Sequence, residues 1–236
     1  MELFYHESLS AKDNNWKISR EESRHLEKVL RKKIGDQVLF TNGKGLLHHA
    51  EIEQMASSGI QVRSIKHQQF SPPKQELHMA IAPTKNMDRL EWFLEKATEI
   101  GIQHITPLLC ERSERKVIKV ERLEKILIRA LKQSHRYFLP ELHPMRSFKD
   151  YVGSLTQPSY LAHCSVGEKK SLWDIPLHDD QLSVLIGPEG DFSPAEISFA
   201  QQYTIEMLDL GDMRLRTETA GLLVVSAFNR LQQQKA

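Results

Sequence analysis

The sequence predicts an α/β protein of two domains, a small β-rich one over residues 1–72 and a strand–helix alternating one over 75–236. Three observations carry this. The segment QQFSPPKQE is polar on both flanks, and Pro72 and Pro73 interrupt helix and sheet alike. Before this seam lie a hairpin signal, a further strand signal and one marked helix. After it, short apolar runs alternate with amphipathic helical stretches, which is the pattern of a mostly parallel sheet covered on both faces.

In the first domain, Ser19 and Glu22 have capping-box spacing, and Leu26, Val29 and Leu30 give a narrow apolar stripe. In DQVLFTNGKGLLHHAEIEQ, Asn42-Gly43 between apolar runs predicts a hairpin, because a tight primed turn needs positive φ. IQVRSIKHQ is a further strand. In the second domain ELHMAIAP reads as a strand. A helix capped by Asp88 follows, with Leu90, Phe93, Leu94, Ala97 and Ile100 on one face and Gly101 at its end. HITPLLC is a strand, ERLEKILIRALKQSHRYFL a long helix stopped by Pro140, and KDYVGSL a short helix. SYLAHC and LSVLIG are strands, the latter of the buried parallel type. Ser193 to Glu196 is a capping box with Pro194 at the first helical position. EMLDLG is the last strand. A final helix starts near Thr217 with Ala220, Leu223, Val224, Ala227 and Leu231 on one face.

The chain has 236 residues, 40% hydrophobic and 27% charged, with a net charge of +1. That is an ordinary globular mix, so any basic surface must come from local arrangement. No apolar run is long enough to span a bilayer, and the start MELFYHESLS lacks signal-peptide features; a soluble cytoplasmic protein is expected. Cys110 and Cys164 lie in strand-like segments, with no close Cys/His spacing that suggests a metal. The adjacent His48 and His49 would point to opposite faces of a strand, which makes them a poor ligand pair. No metal is expected.

Two stretches carry the chemistry. In LIGPEGDFSPAEI a buried strand ends at Gly187, a tight Gly-Pro-Glu-Gly turn follows and a capped helix begins. Open α/β sheets bind ligands at the carboxyl ends of such strands. The stretch matches neither the P-loop nor the dinucleotide glycine pattern. In LDLGDMRLRTETAG a strand ends at Gly211, and the loop into the last helix carries Arg214 and Arg216 beside Glu218. Thr217 could cap that helix, with Glu218 favourable at its positive end. Two arginines just before a helix start, beside a pocket, suit an anionic substrate.

IGPEGDFS and LGDMRLRTETA, with REESRHLEKVLRKKIGDQVLFTNGKG, LEKATEIGIQHITPLLCERSERK and ALKQSHRYFLPEL, resemble the bacterial 16S ribosomal RNA uridine-N3 methyltransferases. These are members of the SPOUT class of trefoil-knot methyltransferases. Two positions depart from the family pattern: Asp191 where Gly is usual, and Met213 where the first loop arginine tends to stand. The resemblance implies a PUA-like RNA-binding domain followed by a knotted α/β domain that binds S-adenosyl-L-methionine. It implies cofactor contacts from three loops: Ala162, His163 and Cys164; Gly187, Pro188, Glu189 and Gly190; and Leu210, Gly211, Leu215, Arg216, Thr219 and Ala220. Arg216 would stabilise the developing uracil anion, with Glu189 or Glu218 as proton acceptor. A homodimer is implied too, and the last helix agrees, since Leu222, Val225 and Phe228 make it apolar on further sides.

Basic residues recur at helical spacing. Arg20, Arg24, Lys28 and Arg31, with Lys32 and Lys33 next, form one stripe; Arg122, Lys125, Arg129, Lys132 and Arg136 form a second. Either could be a solvated face or a phosphate track. Arg112 in Glu111-Arg112-Ser113 lies past a strand's carboxyl end, a favourable place for function, and the resemblance implies a substrate-side role there; Arg214 is expected to meet RNA too. Glu91, Glu95 and Glu99 read as a solvated helix face beside Lys96. The partner expected is 16S rRNA or the small ribosomal subunit, with no membrane. The alternative is a non-catalytic RNA-binding assembly factor of the same fold.

Overall fold

The computed structural model describes residues 1–56, 59–176 and 180–235, and side chains other than those of Glu21 and residues 231–235. Its chain divides into two compact units, Met1–Pro72 with Leu131–Leu139, and Pro73–Ala130 with Pro140–Ala236. The return of Leu131–Leu139 to the first unit is a departure from the expected division at the proline seam alone.

In the first unit, β1 (Leu3–Tyr5), β2 (Asn15–Lys17), β3 (Gln37–Thr41), β4 (Leu46–Ala56) and β5 (Gly59–Gln69) form one sheet in the order β1-β3-β4-β5-β2. β1 and β3 are parallel, and the remaining pairs are antiparallel. One face buries Phe4, Phe40, Ile52 and Val62 with Leu26. A second cluster joins Leu3, Leu39 and Leu47 to Leu131, with Phe70 stacked on Tyr137 at 4.7 Å. The hairpin forms at Asn42-Gly43, but its loop is longer than a two-residue turn, because Thr41 pairs with Leu47. Asn42 Oδ1 accepts from the N–H groups of Lys44 and Leu46, which holds the wider loop closed.

The expected first helix begins where predicted, with Ser19 Oγ accepting from Glu22 N at 3.2 Å. It runs as α1 (Arg20–Arg24) and then widens into one π-helical turn, His25–Val29. The wider winding carries Val29 away from Leu26. Val29 is 65% exposed while Leu26 is fully buried, so the predicted stripe holds only in part.

The second unit contains β6 (Glu76–Ile81), α2 (Met87–Ile100), β7 (His104–Leu109), most of α3 (Val120–Ser134), β8 (Glu141–Leu142), β9 (Arg146–Ser147), α4 (Phe148–Val152), β10 (Ser159–Ala162), β11 (Lys170–Ser171), β12 (Gln181–Ile186), α5 (Pro194–Gln202), β13 (Glu206–Asp209) and α6 (Thr217–Lys235). Its sheet runs β11-β13-β10-β12-β6-β7-β8, with β9 on β7, and every pair is parallel. This is the mixed α/β class with a separate β-rich N-terminal sheet that the sequence predicts. β12 is buried along Leu182–Ile186, as an apolar run in a sheet covered on both faces should be.

Three local details differ from expectation. The cap of α2 is Asn86, whose side chain accepts from Asp88 N, so Asp88 lies inside the first turn. α3 stops at Ser134, where His135 takes φ +54°, well short of Pro140; Arg136 is therefore off the helix that was to carry its stripe. On α6, Val225 and Phe228 are already buried within the chain, at 1% and 6% exposure, and Leu222 and Leu223 are half-buried. Leu231 lies outside the described side chains. Among the described residues, no helix is long and apolar enough to cross a membrane.

Candidate active site

Parallel register brings the carboxyl ends of three strands side by side. Ala162, the last residue of β10, pairs with Ile186 of β12 on one side and Leu208 of β13 on the other. The loops that leave these ends ring one cavity of about 810 Å³. That size suits an organic cofactor. Ala162, His163, Gly187, Pro188, Glu189, Leu210, Gly211, Leu215, Arg216 and Ala220 line it, so three separately predicted loops converge. Gly190 and Thr219 are not in the lining. Gly190 faces Arg112, and Thr219 is exposed on α6.

The loops are tied to one another. Thr217 Oγ1 donates to the carbonyl of Gly187 at 3.0 Å, which binds the start of α6 to the end of β12. The hydroxyl expected to cap its own helix is thus spent between loops. The turn after Gly187 is closed by Asp191 N donating to Pro188 O at 2.9 Å. Asp191 sits at φ +62°, a left-handed position where Gly is the usual solution and Asp is tolerated. Its carboxylate accepts from Cys164 N at 2.9 Å and from Phe192 N at 2.8 Å. The departure from Gly therefore links the β10 loop to the β12 loop.

Two polar atoms await a partner. His163 lines the cavity, and its Nδ1 is buried with no hydrogen bond among the described residues. Burial, and then the charge of Lys169, lower the pKa of His163 against the opposing pull of Asp191, so the ring is neutral at pH 7. Glu218 is 7% exposed; one carboxylate oxygen stands 3.9 Å from Arg89 Nε and the other has no hydrogen-bond partner among the described residues. Arg214 and Arg216 are exposed and line the cavity, and their guanidinium groups make no ion pair or hydrogen bond among the described residues, while the Arg216 carbonyl accepts from Ala220 N at 2.8 Å. Glu189 is committed, since its Oε1 accepts from Lys85 N at 3.0 Å. Sequence reasoning missed Arg89, Lys169 and Asp191 in the lining. Arg89 comes from α2, remote in sequence from all three loops.

The basic residues separate into different situations. Arg20, Arg24 and Lys28 line a cleft of about 540 Å³ in the first unit. Arg31 is exposed and Lys32 half-buried. In the second stripe Arg122 is paired with Glu91 at 2.6 Å and Lys132 with Glu22 at 2.6 Å, which leaves it less free charge. Burial lowers the pKa of half-buried Arg136. Arg112 donates to the carbonyls of Gly190 and Phe192, so it braces the turn after β12. Glu95 and Glu99 hold Lys96, the solvated arrangement expected of that face.

Adjacent parallel strand ends ringing one cavity, with unpaired arginines at its rim, define an α/β domain that binds an organic ligand at the carboxyl edge of its sheet. A family model for the RNA methyltransferase domain matches residues 71–229, and one for the RNA methyltransferase PUA domain matches residues 18–63. The chain belongs to this RNA methyltransferase family. It is similar to the crystal structure of a probable rRNA-methyltransferase from Porphyromonas gingivalis, 32% identical with a TM-score of 0.91 and 100% of both chains covered. It also resembles a Legionella pneumophila protein solved in complex with bound cofactor SAM, 27% identical with a TM-score of 0.86 over 99% of this chain and 97% of that one. Ribosomal RNA small subunit methyltransferase E of Rickettsia conorii is 28% identical over 88% of this chain and 86% of its own.

Proposed function

We propose that this protein transfers a methyl group from S-adenosyl-L-methionine to N3 of a uridine in 16S rRNA of the small ribosomal subunit. The observation that carries the reading is the cavity at the ends of β10, β12 and β13, with Arg214 and Arg216 free at its rim. The cofactor fits the groups present. Backbone groups at Gly187, Pro188, Leu210, Gly211 and Leu215 would hold it, with the turn that includes Gly190 behind them. Ala162 and Ala220 offer apolar cover, and His163 Nδ1 is a buried polar atom in want of a partner. When bound, the cofactor supplies an activated methyl group on its sulfonium.

The chain's own task is then to bind a base and relieve it of a proton. Uracil N3 is weakly acidic, so its anion is scarce at neutral pH. A guanidinium stays charged throughout, and Arg216 beside the ring carbonyls would stabilise the charge that develops as the N3 proton leaves. Glu189 lines the cavity with one oxygen on Lys85 N, Glu218 lies outside the lining with one oxygen 3.9 Å from Arg89 Nε, and both stand as candidate proton acceptors through their second oxygens. Arg20, Arg24 and Lys28 around their cleft, with Arg31 and Lys32 beside it in sequence, would meet RNA phosphates, and binding would weaken with salt. A cytoplasmic homodimer completes the proposal.

Substitution of Arg216 by Ala tests it. Methyl transfer to rRNA should fall by roughly a hundredfold or more, as for loss of one electrostatic stabiliser. Calorimetric affinity for S-adenosyl-L-methionine should be largely kept, and higher pH should partly restore turnover. Transfer at close to the wild-type rate, or a deficit made up entirely of lost cofactor binding, would refute the role.

A further inference from the structure

At the opposite edge of the same sheet, the amino ends of β6, β7 and β8 bring a second set of chemical groups together. Register sets His104, the first residue of β7, against Glu141, the first residue of β8. His143 follows, anchored by its backbone N–H to Ile105 O at 2.8 Å. His104 Nδ1 lies 3.3 Å from His143 Nε2 and 3.5 Å from Glu141 Oε2. His143 Nδ1 lies 3.6 Å from the other oxygen of Glu141.

The tautomer of His104 follows from its other nitrogen. His104 Nε2 is 3.2 Å from Glu76 Oε2, and a carboxylate only accepts. Nε2 therefore carries the hydrogen, and Nδ1 presents a lone pair toward His143 and Glu141. Glu76 is itself held by Gln181 Nε2 at 3.2 Å. A carboxylate behind one ring nitrogen, with the other nitrogen facing further donors, is how metal-binding histidines are oriented. His78 stacks on His143 at 4.8 Å and gives its Nε2 to Thr106, so it forms a wall of the site and leaves the coordinating positions to the other three. Arg146, the nearby cation, is turned to Ser154 and to the carbonyl of Asp150.

We propose that His104, Glu141 and His143 form a site for a borderline divalent transition metal, typified by Zn2+, with solvent completing the coordination. With one donor atom from each residue the three lie within 4.8 Å of one another, and donors on a sphere of about 2.1 Å around a tetrahedral zinc are about 3.4 Å apart, so the side chains would draw together on the ion. Two imidazoles and one carboxylate suit zinc, nickel or copper, whereas magnesium and calcium prefer oxygen alone. The ion would clamp β8, a strand of two residues, onto β7. The site is separate from the cavity and does not depend on the methyl-transfer reading.

Calorimetric titration of the full chain with Zn2+ at about pH 7.5, where imidazoles are mostly neutral, tests the proposal. One equivalent should bind per chain and raise the thermal midpoint, Co2+ should give visible ligand-field bands, and Mg2+ should give neither effect. Glu141→Gln, at a mostly exposed side chain, and His143→Gln should each weaken Zn2+ by about tenfold or more, and Glu76→Gln by about ten- to a hundredfold through its effect on His104. Circular dichroism checks that each variant folds. Cys164→Ser should leave the isotherm unchanged. Failure of the wild type to bind Zn2+, equal affinity in Glu141→Gln and His143→Gln, or loss of binding in Cys164→Ser would each overturn the assignment.

Discussion

Gly187 and Gly211 end adjacent segments of the cavity wall for different reasons. A Cβ at Gly187 would meet the Phe192 ring at 3.1 Å, and Phe192 is 1% exposed in the core. Its φ is not left-handed, so the constraint there is space. At Gly211 the space is open, but φ is +108°. Gly187→Val should abolish binding of S-adenosyl-L-methionine by pushing the turn into the cavity, and should lower the thermal midpoint as well. Gly211→Ala should clash with nothing and cost about 1 kcal/mol of backbone strain. Calorimetry with thermal denaturation separates the two; undiminished affinity in Gly187→Val would remove the pocket from this turn. His78 offers a pH readout. Burial first, then His143, His104 and Arg146, push its pKa down from 6.5 to about 3. Its folded pKa is the lower one, so between those values the unfolded chain binds more protons and stability is lost as pH falls. Urea midpoints measured from pH 6.5 down to about 5, above most carboxylate titration, should decline, and His78→Gln should make the decline shallower, the remainder coming from His48, His49, His143 and His163, whose pKa values burial also lowers.

The helix starting at Pro194 carries more than its own cap. Ser193 Oγ accepts from Glu196 N, Glu196 returns to Ser193 N, and Ser193 Oγ donates to Glu111 Oε2 at 2.6 Å. Glu196 also accepts from Glu111 N at 2.8 Å. Ser193→Ala should therefore cost about 1–2 kcal/mol, the upper part of the range for a cap, measured by denaturant unfolding. This element was legible because every part of its signal lies within four consecutive residues. The π-helical turn was not, because Leu26, Val29 and Leu30 have helical spacing and only the surrounding packing decides the winding. The start of α2 was misread by two residues for a related reason: Asn86 and Asp88 are both good caps, and tertiary context chose the first.

Across the whole molecule, legibility follows the distance over which a site is assembled. The cavity loops could be read because each is a contiguous stretch after its own strand, and parallel order makes their ends neighbours. Arg89 and the group of Glu76, His104, Glu141 and His143 could not be read, since strand pairing alone joins residues so far apart in sequence. The dimer reading is narrowed by α6. Val225 and Phe228 are covered within the chain, which leaves half-buried Leu222 and Leu223 as the large apolar side chains that α6 offers a second copy among the described residues. Light scattering at micromolar concentration should give about twice the 27.3 kDa chain mass, and Leu222→Glu with Leu223→Glu should give the single-chain mass. A single-chain mass for the wild type would remove the dimer.

Because Leu131 completes the cluster of Leu3, Leu39 and Leu47, the N-terminal unit is not a continuous stretch of chain. During synthesis its sheet can form early, but one of its apolar clusters stays open until residues 131–139 have left the ribosome. A gene fragment ending at the proline seam would encode a unit with Leu3, Leu39 and Leu47 uncovered. A crossover at that seam therefore leaves the N-terminal unit dependent on the incoming chain to supply the counterpart of residues 131–139.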